Sequence, residues 1–192
     1  VVPIMNYILM TLLPLTLVRH SRFPSLAAAN GQFMMFDADT YRNQQPHLQM
    51  KAEKVEDIRI AQLFKKLKFR TACLTGSDDI NCRMYHGYQD ALNGFSKNVT
   101  MFFGNSYVLA LLFWLITTWG FIPVLTALPA LWFWLLTLIV LLTRVFVSVA
   151  SRQQIVSNLI LIIPQQLSLG IIIFKSLQYK IRGNYEWKGR KI

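Results

Sequence analysis

Acidic side chains are scarce in this sequence. Nine Asp and Glu stand against twenty Lys and Arg in 192 residues, a formal net charge of +11. Cysteine is scarce too, at two, which excludes a disulfide scaffold. His20, His47 and His86 have no metal-ligand spacing. There is no glycine-rich phosphate loop, no Ser-His-Asp arrangement, no internal repeat and no low-complexity linker. The first residue is Val, and no basic region precedes the first apolar run, so the sequence reads as a piece of a longer protein. The most informative absence is of charge itself. From residue 98 to residue 143, 46 positions carry none.

A soluble helix of that length would normally turn one charged face to water. A membrane span needs about 20 predominantly apolar residues. The uncharged stretch therefore predicts two spans, about 105–123 and 130–147, joined by a turn near Thr126 to Pro129. Arg144 lies near the end of the second, where its charge can reach the headgroups. The turn has no Lys or Arg, whereas Lys97, Arg144 and Arg152 lie outside it. Positive charge is retained on the cytoplasmic side, so residues 1–97 are expected there. A third apolar segment, 155–174, holds Pro164-Gln165-Gln166 at its middle. It predicts a broken or re-entrant element, since a span would place the basic tail on the wrong side. That tail is expected to meet anionic lipid and not nucleic acid, because it adjoins apolar segments.

Residues 1–97 alternate in pattern. Val1 to Val18 predicts a short buried or membrane-facing helix, interrupted by Pro3 and Pro14. Gly31 to Phe36, Phe69 to Leu74 and Ile80 to Met84 predict short strands, with Cys73 and Cys82 as free thiols on the paired ones. Asp39 is expected to cap a helix starting there, and Val55 to Leu67 carries a helical apolar stripe with Glu56 and Asp57 in its first turn. Tyr85 to Phe103 predicts an amphipathic helix leading to the bilayer. The expected fold is α/β over 1–97, followed by an α-helical membrane region over 98–192.

Several motifs occur in order. They are Ala-Asn-Gly-Gln (29–32), Val-Glu-Asp-Ile-Arg-Ile-Ala (55–61), Cys-Arg-Met-Tyr (82–85), Gly-Phe-Ser-Lys-Asn (94–98) and Trp-Lys-Gly-Arg (187–190). In this order, beside a membrane hairpin, they resemble the C-terminal half of a membrane-bound family-2 glycosyltransferase, closest to the branch acting on carotenoid-type or other lipid acceptors, with ceramide glucosyltransferases more distant. The resemblance implies the C-terminal part of a GT-A catalytic domain. It implies inverting transfer of a sugar from a nucleotide-sugar donor to a lipid or carotenoid-type hydroxyl or carboxyl, at the inner membrane with the catalytic part cytoplasmic. By matching position, Asp57 would be the general base and Glu56 its neighbour in the site. Gly31 would let the backbone approach the sugar, with Gln32 at the pocket wall. Arg83 would face the leaving diphosphate, although Arg-Met-Tyr stands where the family has Arg-Trp. Tyr85, Trp187 and Arg190 would contribute to binding. The family's Mg²⁺ or Mn²⁺ is expected in the intact enzyme on ligands upstream of this sequence. Asp37-Ala38-Asp39 imitates the metal motif, but the 18 residues to Asp57 are too few for the family's interval.

Each assignment has a simpler counterpart. An acidic pair favours any helix N-terminus, a glycine opens any strand, and aromatic and basic residues anchor at interfaces. The competing reading is a non-catalytic membrane scaffold or a subunit of a lipid-handling complex. If the third apolar segment is re-entrant, a Cys at position 185, in a background without native cysteines, is expected to react with an impermeant thiol reagent from the cytoplasmic side; labelling only from outside would place the tail across the bilayer.

Overall fold

The computed structural model describes residues 1–51, 53, 55–76, 82–182, 186–187 and 190–191, the last four by backbone alone. The fold is helical. The only ladder among the described residues is a two-residue antiparallel pair near the C-terminus, Glu186–Trp187 with Arg190–Lys191. The α/β expectation for residues 1–97 is therefore corrected to an all-helical arrangement. The chain divides into two compact units, one of residues 13–82 and one of residues 1–12 with 83–192.

The first helix, α1 (Val2–Leu12), ends where Pro14 withholds an amide and disfavours helical backbone at Leu13. Residues 13–82 then form α2 (Leu15–His20), α3 (Ala38–Gln44), α4 (Pro46–Gln49) and α5 (Glu56–Lys66). The cap of α3 is Asp37 rather than Asp39: its carboxylate accepts from the Thr40 amide at 2.9 Å and the Thr40 hydroxyl at 2.7 Å. These bonds hold its pKa below the usual carboxylate value, the amide bond contributing most.

Helix α5 carries acidic residues in its first turn and Lys65 and Lys66 in its last, the arrangement that complements the macrodipole. It closes in a Schellman motif. Lys68 takes left-handed backbone (φ 64°), the Phe69 amide donates to Phe64 O at 2.9 Å, and the two phenyl rings meet at 5.5 Å. Lys65 is buried, and its ammonium donates to the carbonyls of Val18 and Ser21, at 2.7 and 2.8 Å. Those carbonyls end α2 and lack helical partners, so a lysine of α5 closes α2.

The expected strands fail for visible reasons. At 30–33 the chain turns, with the Phe33 amide on Asn30 O and the Gln32 amide on Asn30 Oδ1. Such an Asx turn competes with a ladder. Beyond it Met35 is 83% exposed, so the apolar run is not buried as a whole, although Phe36 packs against Phe64. Phe69 is spent on the helix end, and 70–76 are irregular. Of Ile80 to Met84, only 82–84 are described, without regular structure. Cys73 and Cys82 are free, and burial raises the Cys73 thiol above its ordinary value.

In the other unit α1 joins α6 (Tyr88–Ser96), α7 (Tyr107–Trp119), α8 (Phe121–Ala127), α9 (Ala130–Ala150), α10 (Ile155–Ile160) and α11 (Ile162–Arg182). The helix expected over Tyr85 to Phe103 is shorter: α6 is followed by a 3-10 turn, Val99–Phe103, that stops at Gly104. Helices α7 and α8 meet at 49°, and among the described residues α9 alone is long and apolar enough to cross a membrane by itself. The third apolar segment breaks at Leu161, ahead of Pro164. Pro164 falls in the first turn of α11, where a missing amide costs no helical bond.

The core gathers Ile4, Met5, Ile8, Leu92, Val99, Phe103, Ala110, Leu169, Ile172 and Ile173. Outside it the polarity of the helices is inverted. On α9 the buried residues are Arg144, Val147 and Ser148, while Trp132, Trp134, Leu138, Ile139 and Phe146 are exposed. On α11 Gln165, Gln166, Ser168 and Ser176 are buried, while Ile163, Leu167, Ile171 and Phe174 are exposed.

Gly170 of α11 faces Trp114 of α7 so closely that a Cβ would lie 2.7 Å from the indole ring. The indole N–H donates to Gln166 O at 2.9 Å. Gly170→Ala must push the two helices apart and is expected to destabilise the unit by about 1–3 kcal/mol, read as a lowered melting temperature in detergent; an unchanged melt would refute the close packing of α7 on α11.

Candidate functional site

The first turn of α5 presents Glu56 and Asp57. Glu56 is exposed; Asp57 is half-buried. The two oxygens of Asp57 take different partners. Oδ1 accepts from the Ile58 amide at 2.8 Å, and Oδ2 accepts from the Gly31 amide at 2.9 Å. The second bond spans 26 residues and ties the 30–33 turn to the start of α5. Residues singled out separately from the sequence, Gly31 and Asp57, thus meet directly.

Each carboxylate oxygen has two acceptor directions. With one backbone donor apiece, both oxygens keep capacity toward a further donor such as an alcohol. The approach at Gly31 does not itself demand glycine: a Cβ there would sit 3.4 Å from Asp57 Cβ and Oδ2, an ordinary contact. Gln32 is exposed in the turn. Nearby, Arg59 pairs with Glu53 at 3.2 Å and donates to Gln62 Oε1 at 3.0 Å. Exposed pairs of this kind contribute little stability.

The remaining sequence-derived candidates lie in the other unit. Arg83 is exposed. Tyr85 is half-buried, packs edge-on to Phe95 at 5.0 Å, and lies over the Gly94 backbone, where a Cβ would be 2.3 Å from its ring. Burial, and then the charge of Asp90, raise the Tyr85 hydroxyl above its ordinary value. These contacts give Tyr85 a packing role. Trp187 and Arg190 are paired in register across the terminal ladder.

No group of three or more His, Cys, Asp or Glu able to hold a metal occurs among the described residues. Asp37 is engaged as a helix cap and Asp39 pairs with Arg42 at 3.0 Å. Neither side chain is therefore set to hold a divalent cation, and the described residues offer no other set that fits one.

Sequence reasoning treated Arg144 as a charge rising to the headgroups, whereas it is 3% exposed. Its surroundings come from Tyr7, Ser148, Asn158 and Gln165, scattered over four helices. The available signal was the polar content of otherwise apolar segments, Gln165-Gln166 above all.

Comparison with known proteins yields no match to a family model, a curated protein or a solved structure.

Loss of the Asp57 carboxylate in Asp57→Ala is expected to quicken hydrogen exchange at the Gly31 amide about tenfold. Asp57→Asn keeps an acceptor oxygen and is expected to keep most of the protection. Equal rates in the three proteins would remove the bond between turn and helix.

Proposed function

We propose that this chain is the acceptor-side and membrane part of an inverting glycosyltransferase. It moves a sugar from a nucleotide-sugar donor to a hydroxyl or carboxyl of a lipid or carotenoid-type acceptor. The observation that carries the reading is the Gly31–Asp57 bond: two motif residues, distant in sequence, converge on one carboxylate. The reading rests on site chemistry and not on fold, since the sheet expected of the family is absent among the described residues.

The chemistry asks for one carboxylate at the acceptor. An alcohol is a weak nucleophile at neutral pH. As its oxygen attacks C1 of the sugar, the bond from C1 to the diphosphate breaks, the nucleoside diphosphate leaves, and the alcohol proton passes to Asp57. Glu56, one position earlier, is available to orient the acceptor.

Placement at the membrane, with several spans and the catalytic part on the cytoplasmic side, belongs to the same proposal. It is supported by the inverted polarity of α9 and α11: exposed Leu, Ile, Phe and Trp suit lipid, and buried Gln, Ser and Arg find partners inside. The uncharged turn at 126–129 supports this orientation, since Lys and Arg lie outside it.

A second reading, a membrane scaffold, is favoured by one specific feature. Both oxygens of Asp57 are already engaged by backbone amides, which is also what a purely structural clasp would do.

The full-length protein, incubated with a panel of sugar nucleotides and a lipid extract, is expected to transfer sugar. Asp57→Asn is expected to lower turnover by about 10²–10⁴-fold with donor affinity nearly unchanged. Turnover retained in this variant would leave the scaffold reading standing.

A further inference from the structure

Lys65 does more than close α2. Its bonds to the carbonyls of Val18 and Ser21, at 2.7 and 2.8 Å, join segments 47 and 44 residues apart. Arg19 and Arg22 each directly follow one of those carbonyls, and Lys66, Lys68 and Arg70 follow Lys65 closely. Consecutive Cα atoms stand about 3.8 Å apart, so five cationic side chains leave the backbone from one small region. All five are exposed. The ion pairs among the described residues are Arg42–Asp39 and Arg59–Glu53, and neither draws on this group. The acidic residues of α5 sit in its first turn, at the opposite end of a helix about 15 Å long. The patch lies wholly within the unit of residues 13–82.

Apolar groups are interleaved with the cations. Phe23 follows Arg22 and is 71% exposed. Leu67 stands between Lys66 and Lys68, and Phe69 between Lys68 and Arg70; both are exposed. Left-handed backbone at Lys68 brings Phe69 back toward α5, where its ring meets that of Phe64 at 5.5 Å. Five like charges repel one another, and exposed phenyl and leucyl groups are poorly served by water. A surface that is negative at its boundary and apolar just below it relieves both costs. A nucleic acid supplies the negative charge and uses aromatic rings as stacking platforms. Leu67 is no such platform, and the Phe69 ring already leans on Phe64. A lipid surface takes up all three apolar groups.

We propose that this patch docks residues 13–82 onto an anionic phospholipid surface. Arg19, Arg22, Lys66, Lys68 and Arg70 meet the headgroup phosphates, and Phe23, Leu67 and Phe69 enter the boundary of the acyl chains. The inference rests on the membrane placement proposed above and not on sugar transfer, since Asp57 lies at the other end of α5.

The test uses the full-length protein reconstituted in vesicles of phosphatidylcholine, with or without phosphatidylserine. A nitroxide on Phe23→Cys, in a background without native cysteines, reports collisions with a lipid-soluble and with a water-soluble relaxation agent. The label is expected to be reached from lipid when phosphatidylserine is present, and from water when it is absent or when salt is raised. Arg19→Gln, Arg22→Gln and Lys66→Gln together remove three charges, each contributing about fivefold, so lipid contact is expected to weaken about a hundredfold and the label to return to water. Arg19→Lys, Arg22→Lys and Lys66→Arg together keep the charge and are expected to keep the contact, which separates lost attraction from a lost fold. Equal lipid access with and without phosphatidylserine, or in the glutamine variant, overturns the proposal. Saturable binding of a single-stranded RNA, with the label left in water over phosphatidylserine, also overturns it and assigns the patch to nucleic acid. Release of the protein by alkaline carbonate would refute the membrane placement instead, and the patch is then read on the same label with the protein added to the vesicles from outside.

Discussion

Hydrogen bonds turned inward between helices are the constraint on which residues 83–182 depend. Trp114 reaches the Gln166 carbonyl, Tyr88 meets Ser168 at 2.9 Å, Tyr107 meets Ser176 at 3.2 Å, and Arg144 meets Gln165 at 2.8 Å. Helices with an apolar exterior gain little from burying more apolar surface if lipid surrounds them. What selects one packing is the matching of polar groups and the fit of small residues such as Gly170. A bond of this kind contributes about 0.6 kcal/mol on average. A row of them along α11 specifies register more than it adds stability. The same row explains why α11 can hold two adjacent glutamines without being broken by them.

The apolar half of the sequence was legible in outline because its signal is long. Forty-six uncharged residues predict apolar helices whatever their packing, and α9 occupies nearly the expected bounds. The details that escaped are tertiary. Pro164 looked like the break because proline removes a helical bond, but a proline in a first turn has none to remove. The chain breaks three residues earlier, and Gln165 and Gln166 then face partners on α7, α9 and α10. Arg144 sits six positions from the end of α9, where the sequence alone permits either an outward or an inward rotamer.

The other half was less legible because its signals are short. Gly31 to Phe36 and Phe69 to Leu74 have the composition of strands, yet local chemistry claims both. An Asx turn at Asn30 takes the first, and the Schellman closure of α5 takes the start of the second. That closure puts a lysine in left-handed backbone where glycine is usual, so its sequence signature was missing. The helix over 56–66 was predicted because its apolar period and its charge order agree. Lys65 shows the limit of such patterns. Its place in the last turn suits the macrodipole, but only the structure shows it buried beneath the end of α2, with its pKa lowered by that burial.

The legible part of the candidate site is its residue types; the illegible part is their pairing. Nothing in the spacing of Gly31 and Asp57 says that an amide at one will meet a carboxylate at the other. Once they meet, the bond serves a clasp and a catalyst equally well. A clasp needs an acceptor fixed in place, and a general base needs its carboxylate fixed in place with an oxygen still able to accept. Backbone amides do this without a competing cation, which a lysine or arginine partner would bring. The structural duty of Asp57 is therefore a precondition for the proposed chemistry as much as an alternative to it. What separates the two is whether an acceptor alcohol reaches the remaining lone pairs, in a first turn of α5 where Asp57 is half-buried and Glu56 exposed beside it.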